Sequence, residues 1–148
     1  MWENRWDESE EKLGPVCTAA LKKLYDFYGD NIYKWFARLY EPEIGAFYYS
    51  NSARDHEGFL PDIESTSQAV GFFISSGLFR SNDDYPDWFK EKLIYFVKSL
   101  QDPNGYIYHP QWDRETLEKN TSRMSRDLGS AYQILQRYII VQKRVKLL

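Results

Sequence analysis

The sequence predicts an all-α fold built from repeated helical hairpins. Three observations carry this. Apolar residues recur at helical spacing, no segment sustains strand alternation, and a turn-plus-helix pattern occurs twice. At 148 residues the chain fits one helical domain, taken as 1–148, with repeat units at about 32–76 and 93–140.

The elements follow in order. Residues 8–28 read as a helix in two parts, with Pro15 near the start of the second, where a missing N–H costs nothing. Val16, Ala20, Leu24, Phe27 and Tyr28 would form its inner stripe, with Cys17 as inert core. Gly29 and Asp30 interrupt, and Asn31 can cap a short helix carrying Trp35, Phe36 and Leu39. Pro42 and Gly45 then force a turn into an irregular stretch at 46–61, longer than most connections. A helix over 62–76 ends at Gly77. The next starts near Pro86 and buries Phe89, Leu93, Phe96, Val97 and Leu100. Asp102, Pro103, Asn104 and Gly105 make a second turn. A polar connection leads to a final helix over 126–146, with Leu128, Leu135, Ile139 and Val145 among its apolar positions. Residues 46–50 and 106–109 can form short extended pieces.

The repeat is the strongest signal. Both turns follow an aromatic helix end, contain Pro and Gly, and precede aromatic residues. Downstream, Asp62-x-x-Ser65-x-x-Gln68 is answered by Asp127-x-x-Ser130-x-x-Gln133, each placed at the start of an apolar helix. A lone hairpin cannot bury both faces, so neighbouring hairpins must cover it.

Composition narrows the function classes. The net charge of −3 and pI near 5.4 exclude a binder that relies on a basic footprint, so no nucleic acid is expected. No apolar run approaches the ~20 residues of a membrane span. Cys17 is the only cysteine, and the first residues lack the basic and apolar parts of a secretory signal, so a cytoplasmic location is expected. The two histidines are far apart, which argues against a metal site, and no phosphate loop or nucleophile elbow implies a cofactor.

The stretch from Phe96 and Val97 through Gln101 to Gly105, with Tyr106 and Tyr108 in place of Trp, resembles the QW repeat of triterpene cyclases. The first copy has Tyr40 in the Gln position. The likeness, over about 32–140, is to the α/α-toroid superfamily of terpenoid cyclases and protein prenyltransferase β-subunits. It implies a partial (α/α) toroid, since a complete one has more helices than are read here. Either the chain is the N-terminal portion of a longer protein or a second copy completes it. Asp62, Ile63, Glu64, Ser65 and Thr66 resemble the cyclase acid motif, which would put Glu64 at the proton donor, although Ser65 replaces an Asp. The prenyltransferase zinc set has no counterpart.

Each candidate residue has two readings. Glu64 and Asp127 are the acid/base candidates, while Asp127, like Asp62, also suits an N-cap, and a first-turn Glu is favourable at any helix start. Arg54 and Arg126 can grip a carboxylate-bearing substrate such as a uronic acid, or pin their loops through ion pairs. Arg123 and His109 lie beside Arg126 in or near the second loop. Tyr48, Tyr49, Tyr106, Tyr108 and Trp112 follow the turns, as sugar platforms or as packing over helix ends. The leading expectation is a carbohydrate-binding or carbohydrate-processing domain with an oligosaccharide in an aromatic, acidic cleft. A non-catalytic protein-interaction module and a divergent terpenoid cyclase-like protein are the alternatives.

Overall fold

The computed structural model describes the backbone of residues 3–145 and the side chains of residues 5–137. It is mostly helical, with little sheet. The described residues form two compact units, one up to Ala37 and one from Arg38 onward, where the length led us to expect a single domain.

The first unit is a helical hairpin. Helix α1 (Glu3–Leu13) meets α2 (Pro15–Leu39) at Gly14, whose φ of 80° makes the turn, and Pro15 occupies the first helical position as expected. The Trp6 ring packs edge-on against Tyr25 at 5.7 Å, and the Lys22 ammonium sits 5.8 Å over it. Thr18 is buried. The side of α2 bearing Thr18, Lys22 and Tyr25 is therefore the one that α1 covers. The stripe expected to face inward does not: Val16 is 85% and Phe27 78% exposed, and Leu24 and Tyr28 are exposed too. Cys17 is likewise exposed rather than core. Periodicity identified the apolar face, but the position of Trp6 on α1 chose which face was covered. At Gly29 the dihedrals leave the helical region (φ 39°, ψ −145°), so α2 is kinked where the sequence placed an interruption.

The second unit opens with a tight hairpin, β1 (Tyr40–Glu41) against β2 (Ala46–Phe47), matching the extended piece expected at 46–50. Gly45 is obligatory there. Its φ is 82°, and a Cβ would lie 2.7 Å from the Lys92 Cβ. After a single turn of helix, α3 (Asn51–Arg54), helix α4 (Ile63–Ser75) starts on Asp62. Oδ1 of Asp62 accepts the Ser65 N–H at 2.8 Å and Oδ2 accepts the Ser65 hydroxyl at 2.8 Å, which satisfies the cap. Thr66 ties this start to the hairpin, its Oγ1 accepting the Phe47 N–H at 2.9 Å.

Helix α5 (Asp87–Ser99) follows Pro86 and buries Phe89, Leu93, Phe96 and Val97 of the face its spacing predicted, while Leu100 is its half-buried C-cap. Around it the rings of Tyr40, Phe47, Phe79, Tyr85 and Phe89 pack within 4.4–6.3 Å of their neighbours. Tyr85 is 2% exposed and donates its hydroxyl to the Val70 carbonyl at 2.6 Å, so the ring is buried without an orphaned oxygen. The second turn makes a similar backbone pairing around a loop one residue shorter. Gln101 bridges Ile107 as Tyr40 pairs with Phe47, and the Tyr108 N–H bonds the Leu100 carbonyl (3.2 Å) as that of Tyr48 bonds Leu39 (2.9 Å).

The chain then departs from expectation. A helix unforeseen in the sequence, α6 (Arg114–Lys119), starts on Asp113, and α7 (Thr121–Val145) begins five residues before Arg126. The Asn120 side chain accepts the Arg123 N–H at 3.1 Å at its start. Asp127 is thus no N-cap but lies two turns inside the helix. Ile139, Val145 and Lys146, assigned to this helix by periodicity, lie outside the residues whose side chains are described.

Helices α4 and α7 lie side by side. Glu64 meets Arg123, Ser67 bonds Gln133 at 3.1 Å, and Gly71 faces Arg137. The partners ascend together, so the two helices run in the same direction.

Candidate functional site

The start of α4 and the first turns of α7 enclose a cleft of about 380 Å³ between them, lined by Tyr49, Asp62, Glu64, Ser65, Gln68, Arg123 and Arg126. A second space of about 420 Å³ shares Glu64, Gln68 and Arg126. It continues along the two helices past Ser67, Gly71, Gly129, Ser130 and Gln133 to Arg137. The small residues on both helices leave this groove open.

Arg123 is the hub. Its guanidinium is 13% exposed, donates through Nη1 to Glu64 at 2.9 Å, and brings Nη2 within 3.2 Å of Asp127. One face of it lies 5.5 Å from the centre of the Trp112 ring, which in turn meets His109 edge-on at 6.0 Å. Arg126, more than half exposed, reaches the other Glu64 oxygen at 3.8 Å. Glu64 therefore sits between two arginines at the cleft wall. Its position two residues into α4 also lets the carboxylate favour the positive end of that helix.

Asp127 is fully buried. Burial pushes its pKa up to about 6, the Asp62 and Glu64 carboxylates add to this, and Arg123 opposes it. Among the described residues its oxygens are met by the Arg123 guanidinium as an ion pair, with no further side-chain or backbone donor. His109 is also buried, at 6% exposure. Burial lowers its pKa, helped by Arg123 and opposed by Asp62 and Glu64. Its Nδ1 accepts the Gln111 N–H at 3.2 Å, so the neutral ring carries its proton on Nε2.

Of the residues singled out in the sequence, Glu64, Arg126 and Tyr49 line the cleft, and Tyr49 stands 73% exposed at its wall. Asp127, His109 and Trp112 gather around Arg123 and do not line it. Arg54 is engaged instead with Asp55 at 2.7 Å and with the Arg38 carbonyl at 3.0 Å, the loop-pinning reading. The same Arg54 hydrogen bond holds the Asp55 carboxyl below its ordinary range. Tyr108 lies under Arg114 at 5.3 Å, and Tyr48 is half-buried in the hairpin pairing.

Sequence reasoning under-weighted Arg123, Gln68 and Arg137. Arg123, Arg126 and Asp127 stand at the first, fourth and fifth positions of one helical face, a spacing that would have marked the cluster had the helix been started at Thr121. Among the described residues no group of three or more His, Cys, Asp or Glu could hold a metal ion, and no helix is long and apolar enough to cross a membrane. Compared with known protein families, curated proteins and solved structures, the chain matches none.

Proposed function

We propose that the second unit binds an oligosaccharide along the groove between α4 and α7, on a repeated-hairpin scaffold of the α/α-toroid kind. The observation that carries the binding reading is the convergence of Glu64, Gln68 and Arg126 beside the exposed Tyr49 ring. A sugar presents paired hydroxyls and an apolar ring face. A carboxylate, an amide and a guanidinium match the first, and a tyrosine ring matches the second. The continuation of the groove toward Arg137 suits a chain of sugars rather than one. The scaffold reading is supported by the matched backbone pairing of the two turns and by the common direction of α4 and α7.

The reading is one of binding without turnover. Both Glu64 oxygens are turned to arginines, and Asp127 lies behind Arg123 with no exposed surface, so the two carboxylates do not flank a common space. A cyclase-like activity calls for an apolar cavity, whereas these clefts are lined mainly by charged, amide and small side chains.

The test is a calorimetric titration with neutral and uronic-acid oligosaccharides. Binding should weaken at least tenfold in both Tyr49→Ala and Gln68→Ala, with the thermal midpoint of the free protein unchanged. Absence of binding by every sugar at millimolar concentration would end the reading.

A further inference from the structure

On α2 of the first unit, Val16, Ala20, Leu24, Phe27 and Tyr28 fall within about a third of a turn of one another. α1 covers the opposite side through Trp6, so this face has no partner among the described residues of its own hairpin. Together with Cys17 and Leu21, the exposed parts of these residues amount to roughly 600–700 Å², at or above the largest apolar patch of an ordinary monomer. Two such patches brought together would bury roughly 1,200–1,400 Å², the lower end of a stable protein interface.

The order of side-chain sizes specifies how they would meet. Along the stripe the residues grow from Val16 and Ala20 to Leu24 and Phe27. A parallel pairing would set small against small and large against large, leaving a gap at one end and a clash at the other. Antiparallel pairing about a twofold axis sets Val16 against the Tyr28 of the other copy, and Ala20 against its Leu24, so that the helices stay evenly spaced. We propose that this stripe is a self-association surface, on which a second copy of the chain docks with its α2 antiparallel. The contact is isologous and therefore closes at two copies rather than growing into a filament.

Sedimentation equilibrium on the whole chain at 10–100 μM is the test, and a dimer is expected. Leu24→Arg and Ala20→Glu should each yield monomers, with helical content by circular dichroism unchanged, because neither side chain supports the hairpin from within. Combined in one chain, the two substitutions should restore the dimer, since the twofold sets each against the other in the partner. A wild-type monomer at 100 μM, or a dimer that survives both single substitutions, overturns the surface. Singles that dissociate without rescue in the double variant overturn the antiparallel pairing.

Discussion

Asp62 and Asp127 open the same Asp-x-x-Ser-x-x-Gln pattern, yet the protein treats them in opposite ways. Asp62 precedes its helix and gives both oxygens to Ser65. Asp127 lies within its helix, where the intrahelical ladder already occupies the nearby N–H groups, and it is left with Arg123 alone. The equivalent serine cannot help, because three residues on inside a helix its N–H is bonded to a carbonyl one turn back. Identical spacing therefore produced a satisfied cap in one place and, in the other, a buried carboxyl held only by an ion pair. What differs is where the helix begins.

The largest effect should come from removing the cation that the two regions share. Arg123→Ala leaves Asp127 buried with no countercharge and takes the nearer cation from Glu64, at a cost of about 3–4 kcal/mol in urea denaturation at pH 7. A loss below about 1 kcal/mol would mean that the cluster is solvated and the comparison misdrawn.

Asp127→Asn should act in the opposite direction. A carboxyl whose folded pKa is raised to about 6 binds its proton more tightly in the folded state than in the unfolded. Its neutral form is favourable to folding below about pH 4, and that advantage is lost as pH rises through 6. The Asn variant should match the wild type at pH 4 and exceed it by about 2–3 kcal/mol at pH 7. A chemical-denaturation series across that window reads the difference, and a wild type whose stability rises from pH 4 to 7 with the same slope as the variant contradicts it.

Asp62→Ala should cost about 1–2 kcal/mol, an ordinary cap loss. Replacement by Asn should recover most of it, which separates capping from charge. Last and smallest, Tyr49→Ala should change stability by less than about 0.5 kcal/mol, because the ring is largely exposed, while its effect falls on sugar binding.

Much of the local structure was readable from residues. Pro15, Gly29, Asp62, Gly77, Pro86 and Gly105 mark element boundaries because their effects act within a few residues, on dihedrals and on unpaired N–H groups. The buried face of α5 follows from spacing for the same reason. The start of α7 was misplaced because Asp127 looked like a cap. Asn120, the residue that acts, follows α6, a helix whose six residues are too few to show a period.

The site was legible only in part. Glu64, Arg126 and Tyr49 were named in advance and share a cleft, since they flank the two segments carrying the repeated pattern. Arg54 was bound locally by Asp55, a neighbour that competed with any distant role. Tertiary structure alone decided that Arg123 would meet Glu64 across 59 residues of chain, and that α1 would leave the apolar stripe of α2 uncovered. Both outcomes depend on which surfaces meet, and short-range propensities carry no information about partners so distant along the chain.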